Sequence, residues 1–273
     1  MTLDDVQSRP DLRGIAIDEA GVSGLRYPVV VRDRRGIAQS TVGTFAVSVS
    51  VPETVKGTHM SRFVEIVHEH AQDIGAATMA SLVDEVRTRL DASRAHVSVS
   101  ATYFRERLAP ATGARALLGC DVVWSATCDG DESRVELGVD VPVTSLCPCS
   151  KEISDYGAHN QRGHVIVRAR QAAAAERLWV EDLIDVAESV GSAPVYPLLK
   201  RPDERYVTMQ AYDNPVFVED MARDVAQELR KDSRVESFQV RVVNDESIHD
   251  HAAFASISWP AQAGVGLVRW DGR

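Results

Sequence analysis

A stretch of alternating apolar and polar residues early in the chain constrains the fold more than any other feature of the sequence. Across residues 41–51, apolar side chains such as Phe45 and Val47 alternate with alanine and serine, which is typical of a half-buried strand. Residues 59–90 follow with apolar residues at spacings of three and four, as in an amphipathic helix, although Gly75 is unfavourable for an unbroken one. The same alternation predicts further strands at 97–103, 117–127 and 135–141.

The second half of the chain repeats this order of predicted elements. The pair Asn214 and Pro215 indicates a helix start, because asparagine caps helices and proline fits their first turn. The other elements are a strand at 164–168, a helix at 178–190 and strands at 238–243 and 252–259. The first 25 residues are polar and irregular in pattern. This order predicts an α+β protein with two tandem modules of antiparallel sheet and helices, residues 1–140 and residues 141–273.

Charge and composition argue against several classes of partner. The chain has 40 acidic and 30 basic residues and a net charge of -10, whereas a nucleic-acid binder needs a basic face. It begins without a basic, apolar leader and contains no run of the ~18 apolar residues that a membrane helix needs. We therefore expect a cytoplasmic protein with no nucleic-acid or membrane partner. Cys120 and Cys128 lie in a predicted strand, where we expect them to be buried.

The densest group of reactive side chains lies in residues 145–163, SLCPCSKEISDYGAHNQRG. Cys147, Cys149 and His159 offer thiolate and imidazole groups, the ligands of divalent metals of the zinc class. The set is too small to close a structural site, and an open position for water is typical of a catalytic centre. The alternative is a surface turn whose cysteines bind nothing.

A second group, NDESIHDHAAF, occupies residues 244–254. Two imidazoles, His249 and His251, lie beside the carboxylate of Glu246, a combination suited to metal ligation or to proton transfer near neutral pH. The alternative is a solvated polar loop. Because the two groups are far apart in sequence, we expect a composite site, completed by a neighbouring subunit if one protomer does not suffice.

A third group lies in and after residues 194–207. Lys200 and Arg201 are candidates for phosphate contacts, and Glu204 adds a carboxylate, although a charged run of this kind is usually a solvated surface. Glu219 lies in the first turns of the helix predicted after Asn214, where its carboxylate can accept paired hydrogen bonds from an edge such as that of guanine.

A fourth candidate is the start of the first-half helix. His59 and Arg62 lie there, where the helix N-terminus favours anions. The alternative is an ordinary helix start without a ligand.

Seven strings, spread in order along nearly the whole chain, together resemble the type IB GTP cyclohydrolase family. They are GLRYP (24–28), KGTHMSRFVEI (56–66), SLCPCSKEIS (145–154), GAHNQR (157–162), PVYPLLKRPDERYV (194–207), QAYDNPVFVEDMARDVA (210–226) and NDESIHDHAAFA (244–255). Met209 and Gly163 depart from the pattern, which has an acidic residue and serine there. The resemblance implies a tunnelling fold in which the two modules assemble with other copies into a barrel-like homo-oligomer, a homotetramer, with active sites at subunit interfaces.

The resemblance also implies the reaction and its metal. GTP and water would give 7,8-dihydroneopterin triphosphate and formate, the first step of folate-type pterin synthesis. Cys147, with Cys149 as the second choice, would bind a divalent metal together with His159 and Glu204. A mixed sulfur, nitrogen and oxygen shell admits zinc, manganese or iron.

The remaining roles follow from the same resemblance. Glu219 would hold the guanine edge, and Lys200 and Arg201 would contact the triphosphate. His59 and Arg62 stay candidates for substrate binding because of their place at a helix start. The residues that would position water and move protons are Glu246, His249 and His251.

Two other functions fit parts of this pattern. The nitrile-reducing enzyme of queuosine synthesis shares the fold and an SLCP context, but its cysteine is a covalent nucleophile and its nicotinamide-binding string is absent here. A non-catalytic metal-binding or pterin-binding regulator would be expected to lack the Cys147, His159 and Glu204 set, which this chain retains.

Overall fold

The computed structural model describes residues 7, 9–173 and 175–260. The strands in this part of the chain are β1 (Ile17–Arg32), β2 (Ala38–Val51), β3 (Arg94–Leu108), β4 (Arg115–Asp129), β5 (Glu132–Leu146), β6 (Asn160–Gln171), β7 (Ala193–Pro194), β8 (Val235–Asp245) and β9 (Ala252–Trp259). The helices are α1 (Met60–His70), α2 (Ala76–Arg89), α3 (Pro148–Ile153), α4 (Val180–Ser189), α5 (Arg201–Asp213) and α6 (Val218–Lys231).

The strands form one antiparallel sheet in the order β1-β2-β3-β4-β5-β6-β8-β9, and the short β7 pairs with β5. The predicted modules meet in β5, which pairs with β4 on one side and β6 on the other and continues through the proposed boundary at residue 140. The division into two modules stays a prediction. No helix within residues 9–173 and 175–260 is long and apolar enough to cross a membrane.

Helices cover one face of the sheet, and the alternating sequence pattern determines which face that is. Phe45, Val47 and Val49 of β2 are buried, while Ala46 and Ser48 between them are partly exposed. On the covered face, α2, α4 and α6 pack against β4, β5 and β8. Burial of each large apolar side chain in this layer contributes roughly 1.5–3 kcal/mol, which makes the covered face the main source of stability.

The long helical segment predicted at 59–90 is two helices, α1 and α2, separated by residues 71–75. The reason is backbone pairing with β1: Val30 N–H donates to Ala71 O at 3.0 Å, and Ile74 N–H donates to Val30 O at 2.8 Å. Gly75 is extended and precedes α2, and its N–H donates to Thr78 Oγ1 at 2.9 Å. The helical pattern was correct on each side of this break.

The irregular start and the helix at Asn214 were predicted wrongly. Strand β1 begins at Ile17, within the first 25 residues, and bulges near Gly21 and Gly24 break its alternation. Asn214 ends α5 instead of starting α6: its N–H donates to Gln210 O at 3.1 Å, and α6 begins at Val218. The helix α5 itself was not predicted, because Asp203 and Ala211 are its only fully buried residues and it lacks an apolar stripe.

Candidate active site

Cys147 lies where β5 ends, at the N-cap position of α3. Its Sγ accepts a hydrogen bond from Ser150 N–H at 3.4 Å, and Pro148 fits the first helical position. The side chain is half-buried, whereas Cys149, two residues later, is exposed. Cys147 therefore combines a fixed backbone with an accessible sulfur, which supports it over Cys149 as the metal ligand.

His159 lies beside Cys147 because the loop returns to the sheet at that point. Cys147 N–H donates to His159 O at 3.1 Å, and His159 N–H donates to Ser150 Oγ at 3.1 Å. Ser150 thus contacts the Cys147 sulfur through its backbone and the His159 backbone through its hydroxyl. These three bonds hold the backbone of His159 next to that of Cys147, twelve positions earlier in the sequence.

The His159 ring is held in one orientation by polar neighbours. Its Nδ1 lies 2.7 Å from Gln161 Oε1 and 3.8 Å from Glu246 Oε2, and the His159 and Glu246 side chains are each 14% exposed. Because the Gln161 oxygen can only accept, Nδ1–H donates to it and Nε2 keeps the lone pair for a metal; metal-binding histidines are typically oriented in this way by a partner at the other ring nitrogen. Glu246, from the group at residues 244–254, therefore lies in the same site as His159.

His249 and His251 follow Glu246 in an exposed loop after β8. Their rings stack with centroids 5.1 Å apart. Both imidazoles are therefore open to solvent at this end of the sheet.

The N-terminus of α6 is attached to the end of β5, next to Cys147. Val216 N–H donates to Leu146 O at 3.1 Å, and Ser145 Oγ–H donates to Val216 O at 3.0 Å. Glu219, three residues later, is exposed in the first turn of α6, where the helix dipole favours a carboxylate. The structure thus places the proposed guanine-binding residue on the element adjoining the thiol.

Glu204 is not brought to Cys147 and His159 within one protomer. It is exposed in the first turn of α5, whereas the opposite end of α5 meets α3, where Lys151 Nζ donates to Tyr212 O. From Glu204 to Tyr212 the helix advances about 12 Å. Among the described residues, no three or more His, Cys, Asp or Glu side chains are grouped to hold a metal. The three-ligand set stays a prediction that one protomer does not fulfil.

The exposed Lys200 and Arg201 lie beside a buried carboxylate that fixes the start of α5. Asp203 accepts hydrogen bonds from Lys200 N–H, from Thr112 N–H and Oγ1–H, and from Ala111 N–H, at 2.7–2.9 Å. Burial acts to raise the pKa of Asp203, but these hydrogen bonds outweigh it and lower the pKa to about 2. The two cations are therefore presented from a rigid helix start.

His59 and Arg62 lie far across the sheet from Cys147. They are at the start of α1, which packs on β1, four strands from β5, and neighbouring strands lie about 4.8 Å apart. Arg62 Nη1 donates to Arg89 O at 3.2 Å, at the end of α2. One protomer therefore does not combine these two residues with the thiol and imidazole.

Comparison with known proteins identifies the family. The family model described as type I GTP cyclohydrolase folE2 matches residues 3–255. This chain belongs to the FolE2 family. It is 48% identical over 257 residues to GTP cyclohydrolase FolE2 of Methylococcus capsulatus, covering 94% of this chain and 95% of that one. It is 47% identical over 255 residues to GTP cyclohydrolase FolE2 of Nitrosococcus oceani, covering 93% and 94% of the two chains.

Solved structures show the fold of this FolE2 member. The uricase of Arthrobacter globiformis superposes with a TM-score of 0.52 at 7% identity, covering 90% of this chain and 95% of that chain. A uricase from Bacillus fastidious gives 0.50 at 8% identity, covering 89% and 93%. At such low identity the likeness concerns the fold alone, and it confirms the α+β tunnelling fold.

Sequence reasoning missed Ser150 and Gln161 in this FolE2 site. Ser150 could have been found, because Cys147 and Pro148 form a helix-start signature and the third residue after a cap commonly bonds back to it. Gln161 has no such signal beyond its position two residues after His159 on one strand face. The prediction of buried Cys120 and Cys128 is confirmed, and burial raises the pKa of the Cys120 thiol to about 11.

Proposed function

We propose that this chain converts GTP and water to 7,8-dihydroneopterin triphosphate and formate at a divalent metal held between subunits. As a FolE2 family member it is a GTP cyclohydrolase of folate synthesis, the function predicted from its sequence. The type IB subclass, the metal, the residue roles, the homotetramer and the cytoplasmic location are part of the proposal. The observation that carries it is the backbone hydrogen bond that holds Cys147 beside His159, an imidazole whose Nδ1 is engaged by Gln161.

The donor set fits zinc, manganese or iron. Cys147 is half-buried. The hydrogen bond from His159 Nδ1 to Gln161 orients the ring and leaves Nε2 available for a metal. One thiolate and one imidazole need at least one more ligand, and Glu204 of the partner subunit would supply it. A metal in this shell, when bound, provides Lewis-acid activation of water near neutral pH.

The chain's own groups bind the substrate and move protons. Glu219 accepts the N–H edge of guanine from the first turn of α6, which orients the purine over Cys147. Glu246, His249 and His251 lie at the same end of the sheet, where they accept the proton of the attacking water and protonate the purine ring nitrogen as the imidazole ring opens. Lys200 and Arg201 neutralise the triphosphate from the start of α5.

An oligomer completes this site. Among the described strands, β1 has β2 as its strand neighbour and β9 has β8. Residues 71–74 cover the outer edge of β1 at Val30 and Val31, while the rest of that edge and the outer edge of β9 have no strand partner in the described part of the chain. Pairing of β9 with β1 of another copy would continue the sheet into a barrel and remove both edges. The same assembly brings the surfaces of α1 and α5 from other subunits toward Cys147, which accounts for the distance of His59, Arg62 and Glu204 within one protomer.

The test is metal-dependent formate release. Metal-free protein is incubated with GTP and supplied separately with zinc, manganese or iron, and formate and the fluorescent oxidised pterin are measured. We expect turnover with at least one metal, and none from folded Cys147→Ala protein under any of them. Normal turnover by Cys147→Ala would contradict the assignment of Cys147 as a metal ligand. A metal that only raises the melting temperature, without turnover, would favour the regulator alternative.

A further inference from the structure

A buried polar contact crosses three strands of the sheet immediately behind the active site. Asn244 of β8 is opposite Gly163 of β6, and Gly163 is opposite Val143 of β5. Asn244 Nδ2 nevertheless donates to Ser145 Oγ on β5 at 2.7 Å, so the amide passes over the intervening strand. Asn244 is 3% exposed and Ser145 is 1% exposed.

The missing side chain at Gly163 makes this contact possible. A Cβ placed on Gly163 would lie 2.6 Å from Asn244 Oδ1 and 3.2 Å from Val143 Cγ2. Directly paired residues project from the same face of a sheet, so the Asn244 amide occupies the space that a residue at 163 would otherwise fill. Asn244 Oδ1 is buried there without a hydrogen-bond partner in the described chain, so space, not a polar contact with Gly163, allows this conformation.

The contact continues to the element that carries Glu219. Ser145 accepts from Asn244 and donates to Val216 O at 3.0 Å, while Val216 N–H donates to Leu146 O at 3.1 Å. Val216 is thereby held at both backbone polar groups, immediately before α6. The same strand end leads into Cys147, and Asn244 lies two residues before Glu246.

We propose that Asn244 and Ser145 form a positioning relay, made possible by Gly163, that fixes the N-terminus of α6 relative to the thiol site. The relay touches neither metal nor substrate. It sets the distance between Glu219 and Cys147, and so acts on GTP binding through the placement of Glu219. This role rests on the proposed function of Glu219 as the guanine-binding residue.

The relay predicts how Asn244→Ala and Ser145→Ala behave in the metal-loaded enzyme. Asn244→Ala loses one hydrogen bond of the relay and Ser145→Ala loses two. In Asn244→Ala the Val216 amide should exchange its hydrogen about three- to tenfold faster and the KM for GTP should rise by a similar factor, and both effects should be at least as large in Ser145→Ala. The turnover number and the zinc affinity change less than twofold, because Cys147 and His159 keep their contacts. Unchanged Val216 exchange and unchanged KM in Asn244→Ala overturn the relay.

A double-mutant cycle tests the part played by Gly163. Gly163→Ala displaces the Asn244 amide and should raise the KM as Asn244→Ala does, while the combined variant should be no worse than either single one. Independent, multiplying effects overturn the steric argument. The matched control is Gly119→Ala on β4, where a new Cβ would meet Thr102 Cγ2 at 2.9 Å, outside the relay. It should leave KM and Val216 exchange unchanged.

Glu219→Ala separates this inference from the proposed function. We expect weaker GTP binding with normal Val216 exchange. Normal GTP binding by Glu219→Ala would contradict the guanine-binding role of Glu219. It would also contradict the predicted effect of the relay on the KM for GTP. The exchange rate of the Val216 amide in Asn244→Ala still decides whether the relay holds α6.

Discussion

Removing the Gln161 side-chain amide should weaken metal binding without unfolding the protein. Gln161 is 7% exposed, and its Oε1 accepts from His159 Nδ1 at 2.7 Å, which fixes the ring with Nε2 available. In Gln161→Leu the ring loses this acceptor while the buried volume stays similar. Loss of such a partner typically reduces metal affinity about 10- to 100-fold, which corresponds to about 1.4–2.7 kcal/mol. Glu246, at 3.8 Å from Nδ1, places the expected loss at the lower end because it can take over as acceptor.

The assay is competition for zinc between the metal-free protein and a chromophoric chelator. The double variant Gln161→Leu with Glu246→Gln should lose more affinity than Gln161→Leu alone, because both acceptors near Nδ1 are weakened. Gln239→Leu on β8 is the control, since Gln239 is also a strand glutamine, half-buried where Gln161 is buried, and lies beside Arg168 in the register, away from His159. Wild-type zinc affinity in the double variant would refute His159 as a ligand through Nε2.

Three further predictions concern stability and the choice of cysteine. The pKa of Asp203 is lowered to about 2 from an ordinary value of 3.8, so its stabilising contribution is complete above about pH 4 and lost as the pH falls toward 2; Asp203→Asn should flatten that part of the stability curve in urea unfolding. Met79→Ala, at a fully buried position of α2, should cost about 2–5 kcal/mol in the same assay, and a loss under 1 kcal/mol would contradict the packing of α2 on the sheet. Cys149→Ser should retain formate release, and its inactivity would transfer the ligand role from Cys147.

The alternation of apolar and polar residues predicted β2, β3, β4 and β5, each of which lies between two other strands of the sheet. Phe45, Val47 and Val49 repeat strictly because one face of β2 is covered by helices and the other is not. The edge strand β1 escaped prediction because bulges shift its register and its first residues are exposed. An edge position alone does not hide a strand, because the other edge strand, β9, was predicted at 252–259 although none of its residues is fully buried.

The turn between α5 and α6 shows why local signals can be misread. Asn214 and Pro215 form a frequent helix start, but here Asn214 Nδ2 donates to Gly191 O at 3.1 Å, and the chain then pairs with the end of β5 before α6 begins. This tertiary pairing delays the helix by four residues relative to Asn214. The same pairing positions Glu219 next to the thiol site.

The sequence predicted those parts of the candidate site whose residues lie close together in the chain. Cys147 and His159 lie in one loop, and their pairing follows from a short return to the sheet. Ser145 and Asn244 are 99 residues apart, and a buried polar contact between distant strands has no local sequence pattern. Glu204 is a further case, because we propose that it meets Cys147 only across a subunit interface, which no pattern within one chain describes.

Subunit complementation tests the central claim most directly. Cys147→Ala and Glu204→Ala proteins are each purified in folded form, then mixed, dissociated and reassembled together with the activating metal and GTP. A site that combines Cys147 and His159 of one subunit with Glu204 of the partner subunit predicts two inactive parents and mixed oligomers that regain formate release, because some interfaces are intact. Two inactive parents whose mixed oligomers remain inactive, or a fully active Glu204→Ala parent, would contradict it.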